Sequence, residues 1–287
     1  SNSMQHRGPD DHDSWSQGAC ALGHRRLTII DLSEHGRQPL SNEDDTIWLT
    51  YNGEAYNYLG IRERLLGSGH SFRSETDSEV LVHLYEDKQG DVDAVLEEIE
   101  GMFAFGLWDT QRERLVLARD RLGIKPLYYA VADGFLVFAS EIKAILASGL
   151  VPARPSMDGV ASYLTFRHAV APGTMFDGIS ALPAGHYLTT EDGQVRIERY
   201  WDLTLPERRV DRGEEYYRRS VREMLTDAVH KRLMSDVPIG AYLSGGLDSS
   251  IVVALMAQEL GDRLKTYSVG FGDEALDEFP YAKMVAD

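Results

Sequence analysis

Short β-branched runs alternating with amphipathic stretches mark out the first part of the chain. Gly23-His-Arg-Arg-Leu-Thr-Ile-Ile-Asp-Leu32 reads as a strand ending near a polar turn. Thr46 to Tyr51 reads as a second strand, closed by Asn52-Gly53, a dipeptide that signals a turn. Glu54 and Asn57 then stand at the mouth of a helix that runs through Ile61, Leu65 and Leu66 and stops at Gly67 or Gly69. Ser74-Glu-Thr-Asp77 caps the next helix, whose Val80, Leu81, Leu84 and Tyr85 recur at helical spacing. A third helix covers Val92 to Ile99.

Two hairpins follow. Met102 to Trp108 pairs with Arg114 to Ala118 across a turn at Asp109 to Arg112, and Tyr128 to Val131 pairs with Phe135 to Ala139 around Asp133-Gly134. Glu141 to Ala147 is a short helix. Antiparallel strands with a few helices make the α+β pattern. From Pro152 to Trp201, prolines and glycines scattered among short strands form the trailing part of this domain, which is expected to span residues 1–202. Residues 203–214, polar and charged with Pro206, read as an interdomain linker.

The remainder, residues 215–287, has a different rhythm. Tyr217, Val221, Leu225, Ala228, Val229 and Leu233 lie on one helical face. Ile239 to Leu243 is an apolar run entered from a proline, which predicts a buried strand. Ile251 to Leu260 is an apolar helical segment, and Leu264 to Gly270 is the next strand. Strand, helix, strand in that order implies a parallel α/β sheet.

Between that first strand and its helix stands Ser244-Gly-Gly-Leu-Asp-Ser-Ser250. Glycines let the backbone come close to a phosphate, the amides of a first helical turn point at it, and the helix dipole favours negative charge. Ser244, Ser249 and Ser250 add hydroxyls, and Asp248 is placed to hold Mg2+ against the phosphates. This is neither the Gly-Lys-Ser/Thr phosphate loop nor the Gly-x-Gly-x-x-Gly dinucleotide pattern. The competing explanation is an ordinary strand-to-helix turn rich in Gly and Ser.

Bulk properties narrow the classes. With 287 residues the chain can hold two cores, and 43% hydrophobic and 26% charged residues are ordinary for a globular protein. The 46 acidic against 29 basic residues give a net charge of −17, which argues against nucleic-acid and anionic-membrane partners. No apolar run reaches the ~20 residues of a membrane helix and no signal peptide opens the chain. Cys20 is the single cysteine, which excludes an internal disulfide and suits a cytoplasmic protein.

Several motifs then occur in one order: His6-Arg-Gly-Pro-Asp-Asp11, Leu22-Gly-His-Arg-Arg-Leu27, Tyr51-Asn-Gly-Glu-Ala-Tyr-Asn-Tyr58, Gly101-Met-Phe-Ala-Phe105, Ala118-Arg-Asp-Arg-Leu-Gly-Ile-Lys-Pro-Leu-Tyr-Tyr129, Ala139-Ser-Glu-Ile-Lys143 and Ser244 to Ser250. Together they closely resemble glutamine-hydrolysing asparagine synthetases, from Met4 onward. The resemblance implies a class II, N-terminal-nucleophile glutaminase domain of αββα sandwich fold, followed by the start of an α/β ATP-pyrophosphatase synthetase domain. It also implies roles. Arg26 would hold the glutamine α-carboxylate in a bidentate contact, Glu54 and Asp77 the α-ammonium, and Leu27, Thr28, Ile29 and Ile30 would line that pocket. The Asn52 side-chain amide and the Gly53 N–H would form an oxyanion hole. Leu243 and Val269 would flank the adenine of ATP, Ser244, Gly245, Gly246, Leu247, Asp248, Ser249 and Ser250 would cradle its phosphates, and Asp248 would hold Mg2+. Taken one at a time, these residues have plain structural explanations, Asn52-Gly53 as a turn and Glu54 and Asp77 as helix-start acids.

The sequence departs from that pattern at its ends. The family nucleophile is a cysteine exposed as the first residue, whereas Ser1-Asn2-Ser3 ahead of Met4 reads as a vector remnant and the His6 motif sits close behind it. The cysteine strand is therefore expected to be missing, which leaves a sheet edge that invites aggregation or self-association, a homodimer among the outcomes. The synthetase domain is likewise expected to be incomplete, and the chain as written inactive in both half-reactions. Cys20 reads as a small buried residue rather than a substitute nucleophile. The intact protein is expected to be an ATP-dependent ligase that transfers ammonia from glutamine to an adenylylated carboxylate, that of aspartate first. Rival readings are a same-family enzyme that amidates another carboxylate or closes a lactam, a catalytically silent glutamine- and ATP-binding protein, and a stand-alone ATP pyrophosphatase.

Overall fold

Alternation along the central strands sorts side chains into two cores on opposite faces of one sheet. The computed structural model describes residues 2–191, 193–205, 210–270, 272 and 277–286, and the chain divides into two units, Ser1–Thr204 and Leu205–Asp287. Residues 206–209 of the expected linker lie outside the described residues.

In the first unit the chain runs β1 (Asp11–Gln17), β2 (Cys20–Arg26), β3 (Leu40–Ser41), β4 (Ile47–Ala55), α1 (Tyr58–Gly67), α2 (Val80–Asp87) and α3 (Val92–Glu98). It continues through β5 (Gly101–Asp109), β6 (Arg114–Arg119), β7 (Tyr128–Ala132), β8 (Phe135–Ala139), α4 (Ile142–Leu146), α5 (Met157–Phe166), β9 (Ser180–Ala181), β10 (His186–Glu191) and β11 (Gln194–Arg199). A six-stranded antiparallel sheet has the order β11-β10-β6-β5-β4-β3. Its Leu49, Tyr51, Phe103, Phe105, Leu107 and Val116 pack against Ile61, Leu65, Leu81, Leu84 and Leu96 of α1 to α3. The residues between them, Ala104, Trp108, Leu115 and Leu117, face the other way, onto Leu22, Leu127 and Phe138. That second layer comprises the β1-β2 hairpin and the β8-β7-β9 sheet. Ala130 and Ile145 extend the packing outward to α4. Helix, sheet, sheet, helix is the αββα sandwich of the N-terminal-nucleophile fold, and the strict period of two is what lets one sheet serve two cores.

Three local expectations are corrected. The strand expected over Gly23 to Leu32 stops at Arg26, because the Arg26 guanidinium turns back onto the carbonyls of Ile30, Asp31 and Ser33 and the following loop wraps around it. Asn52-Gly53 is not a turn. Strand β4 runs through it to Ala55, with Asn52 opposite Ala104 and Gly53 opposite Phe103. Gly53 is there for close approach, since a Cβ would collide with the Met102 carbonyl. Helix α5 lies where only short strands were expected. Its Ser156 cap accepts the Gly159 N–H, a start signal obscured by the surrounding prolines and glycines.

The second unit holds α6 (Glu214–Lys231), β12 (Gly240–Tyr242), α7 (Leu247–Leu260), β13 (Lys265–Tyr267) and α8 (Phe279–Ala286). Strands β12 and β13 pair in parallel, so the α/β arrangement holds, though both are shorter than the apolar runs suggested. Its core is small, built on Leu243, Val253 and Ala282. On the apolar face of α6 only Val229 is buried, while Tyr217, Val221 and Leu225 stay exposed.

Candidate active site

A cavity of 540 Å³ opens in the first unit where the ends of β2 and β4 meet the loop after β2 and the segment before α2. Arg26, Leu27, Ile29, Ile30, Asn52, Gly53, Glu54 and Asp77 all line it. Thr28 does not. Its N–H bonds to Asp10 Oδ2 instead, on the outside of the loop.

Arg26 is 7% exposed. Its Nη1 donates to Ser33 O at 2.8 Å, and Nη2 donates to both Ile30 O and Asp31 O. A guanidinium clasps a carboxylate through an adjacent pair of N–H groups, and Nη2 belongs to both such pairs. The chain's own carbonyls thus engage both Nη1 and Nη2. Burial lowers the Arg26 pKa from its ordinary value, with Asp31 and Asp11 pulling the other way.

The free edge of β4 carries the most informative geometry. Tyr51 donates its N–H to Gln38 Oε1 at 2.6 Å, and Ala55 donates its N–H to Asp77 Oδ2 at 2.7 Å. Both N–H groups point away from β5. Because amides alternate along a strand, the Gly53 N–H between them faces the same edge. Strand β3 pairs only with Trp48 and Leu49, so it stops short of this edge. Gly53 thus presents a backbone donor on the cavity side, flanked by two donors already satisfied. The Asn52 amide nitrogen lies 3.5 Å from Ser140 Oγ, which also lines the cavity.

Opposite charges gather at the same place. Asp77 is 7% exposed, and burial pushes its carboxyl up to about 6, with the neighbouring Glu54 charge adding to the rise and the Ala55 N–H opposing it. His24, which the motif carried without an assigned role, lines the cavity with Nδ1 3.1 Å from Thr50 Oγ1. Burial and the Arg26 charge bring its pKa down to about 4, so it is neutral near pH 7. Gln38, Thr76 and Ser140 are further lining residues to which sequence reasoning gave no site role; Thr76 stood within the Ser74 to Asp77 cap and Ser140 within the Ala139 to Lys143 motif. Cys20 sits in β2, outside the cavity lining, and burial pushes its thiol up to about 12, which leaves it protonated and unreactive.

The loop of the second unit is built differently. Helix α7 begins at Leu247, four residues earlier than the apolar run suggested, so Leu247, Asp248 and Ser249 form its first turn. The hydroxyls of Ser244 and Ser249 lie 2.9 Å apart, and Ser244 Oγ accepts the Gly246 N–H. Ser250 Oγ donates to Gly246 O. Gly245 has φ +81, and a Cβ there would stand 2.5 Å from Tyr281 Cβ, so both conformation and space require glycine. First-turn amides have no intrahelical acceptor. With Asp248 exposed beside them, the donor set fits a polyphosphate and one Mg2+. Leu243 is 1% exposed and packs with Val253 and Ala282, so its side chain belongs to the core. Val269 is 63% exposed, just beyond β13. No helix among the described residues is long and apolar enough to cross a membrane.

Comparisons with known proteins agree with this division. A glutamine amidotransferase domain matches residues 1–201, and an asparagine synthase domain matches residues 220–287. An asparagine synthetase [glutamine-hydrolyzing] 3 of Bacillus subtilis is 38% identical over 277 residues, 94% of this chain and 44% of that protein. Amidase chyE of Penicillium rubens is 37% identical over 299 residues, 98% of this chain and 43% of that protein. The chain spans less than half the length of either relative. Among solved structures, a glutamine phosphoribosylpyrophosphate amidotransferase from B. subtilis gives a TM-score of 0.46 at 18% identity, over 86% of this chain and 51% of that one.

Proposed function

Because the chain belongs to the glutamine amidotransferase family through residues 1–201 and continues into an asparagine synthase domain, we propose that its first unit binds glutamine for amide hydrolysis and its second binds ATP. Together they would serve an ATP-dependent amide ligase that passes ammonia to an adenylylated carboxylate, that of aspartate first, in the cytoplasm.

The observation that carries this reading is the edge of β4. The Gly53 N–H and the Asn52 amide face a cavity that also holds one cation, Arg26, and two carboxylates, Glu54 and Asp77. Free glutamine carries one carboxylate, one ammonium and one amide carbonyl, and each finds a complementary group. Arg26 takes the α-carboxylate through its charge and the donors that the loop carbonyls leave to it. Glu54 and ionised Asp77 take the α-ammonium. Hydrolysis of the amide passes through a tetrahedral oxyanion, and two fixed donors at Asn52 and Gly53 would each lower that barrier by ~3 kcal/mol. Neutral His24 adds a hydrogen-bonding wall without adding charge.

In the second unit, Ser244 to Ser250 would receive the ATP phosphates through first-turn amides and serine hydroxyls. Asp248 would hold Mg2+, which supplies charge neutralisation at the phosphates. Leu243 would bound the adenine site through its backbone, since its side chain is buried in the core, and Val269 through its exposed position. Adenylylation gives the acceptor carboxylate the leaving group it lacks at neutral pH.

Isothermal titration with glutamine, and separately with ATP and Mg2+, tests both halves. Binding of glutamine that Arg26→Ala abolishes, with ATP binding retained, supports the reading. Glutamine binding indifferent to Arg26 and Asp77 would end it.

A further inference from the structure

We propose that Glu43, His70, His83 and Glu86 form a binding site for a divalent first-row transition metal, with zinc the best fit. The four residues come from three places. Glu43 lies in the turn between β3 and β4, His70 follows α1, and His83 and Glu86 sit three apart on one face of α2. One ligand atom from each falls within 4.8 Å of all the others. None of the four lines the glutamine cavity.

His83 points to a ligand rather than to simple packing. It is 0% exposed, and neither ring nitrogen makes a hydrogen bond of acceptable direction, a costly state for two buried polar atoms. Its Nδ1 nevertheless lies 2.9 Å from Glu43 Oε2. His70 Nδ1 lies 3.4 Å from Glu43 Oε1 and 3.8 Å from Glu86 Oε2. Ligand atoms about 2.0–2.1 Å from a tetrahedral zinc stand roughly 3.3 Å apart, and these separations bracket that value. Two imidazoles with two carboxylates match zinc chemistry and are poor partners for calcium or magnesium, which favour all-oxygen sets. The two negative charges neutralise a dication.

The surroundings fit as well. Glu79, 2% exposed, places Oε1 3.6 Å from His83 Nε2, on the ring edge away from the cluster. That carboxylate favours a proton on Nε2 and leaves the Nδ1 lone pair for a metal, as outer-shell carboxylates do for metal-bound histidines. Asn42 Nδ2 donates to Glu86 Oε2 at 3.1 Å and the Ser71 N–H donates to Glu43 Oε1 at 3.1 Å, which orient both acids. The side chains of Glu43 and Glu86 are 34% and 40% exposed, an open route for the ion. The competing arrangement is a set of protonated imidazoles paired with the same acids. Asp77 lies between the His70 and His83 ligands in the chain, so a bound ion would hold both ends of the segment that delivers it to the cavity.

The test uses the full chain stripped with chelator and titrated with Co2+, then Zn2+. The expected result is one Co2+ per chain with the intense visible absorption of four-coordinate cobalt, displaced by one equivalent of Zn2+. Zinc is also expected to raise the melting temperature. His70→Ala and Glu86→Gln, both at sites more open than His83, should weaken Co2+ binding by ~100-fold or more while circular dichroism stays unchanged, since losing even an outer-shell partner typically costs about 10–100-fold. Absence of cobalt absorption and of any zinc-dependent melting shift in the unmutated chain would overturn the proposal and leave the ion-pair arrangement. So would unchanged Co2+ binding in folded His70→Ala.

Discussion

The cavity proposed for glutamine and the loop proposed for ATP phosphates are built in opposite ways. The cavity relies on charged side chains, Arg26 and Asp77, each 7% exposed and each held by several main-chain groups within a large sandwich. The loop relies on backbone amides and hydroxyls at an exposed strand-to-helix junction, over a core centred on Leu243, Val253 and Ala282. Burying a charge requires an extensive, rigid surround that keeps it paired. Presenting amides requires only a helix start and a glycine in the right conformation. On the proposed function, the first unit would discriminate a small zwitterion by several charges at once, while the second would accept any polyphosphate of suitable length.

Four measurements would break or sharpen that contrast. The largest effect is expected for Arg26→Ala, which orphans the carbonyls of Ile30, Asp31 and Ser33. Chemical denaturation should report a loss of about 4 kcal/mol, and glutamine affinity should fall beyond detection with ATP affinity unchanged. Gly245→Ala probes the loop. Strain at positive φ and collision with Tyr281 should cost about 2 kcal/mol in the same assay and lower ATP affinity more than tenfold, leaving glutamine binding intact.

The third concerns pH. Burial pushes the Asp77 carboxyl up to about 6 in the folded chain, above its ordinary value of 3.8, so the folded state binds the extra proton and its stability falls as pH rises from about 4 to 6. The span corresponds to about 3 kcal/mol. Glutamine affinity should move the other way, rising through pH 6 as the carboxylate forms to meet the α-ammonium. Asp77→Asn should flatten both curves, and calorimetry from pH 4 to 8 would show whether it does. The smallest effect is expected for Asp248→Asn: about a tenfold loss of ATP affinity, seen only with Mg2+ present, and no change in melting temperature, because the side chain is exposed.

Much of this was legible in the residues, and the failures are instructive. The hairpins of β5-β6 and β7-β8 and the helix around Val80 to Tyr85 follow from local patterning, which the tertiary structure leaves intact. Leu27 to Leu32 misled because β-branched residues suit a strand, yet here they wrap a side chain whose carbonyl partners lie four to seven residues away. Asn52-Gly53 misled because its turn propensity is local, whereas the demand on Gly53 comes from Met102 across the sheet. The cluster of Glu43, His70, His83 and Glu86 gave no signal, since its members are spread over three segments that only folding assembles.

The seating of Arg26 has a kinetic consequence. Its guanidinium gathers carbonyls of the chain itself, so the ordering of residues 27–33 is expected to be completed during folding rather than during capture. Glutamine would then dock onto a preformed surface, with an association rate limited by diffusion and orientation rather than by loop closure. Amide hydrogen exchange in this loop should accordingly be slow in the free chain and change little when glutamine is added.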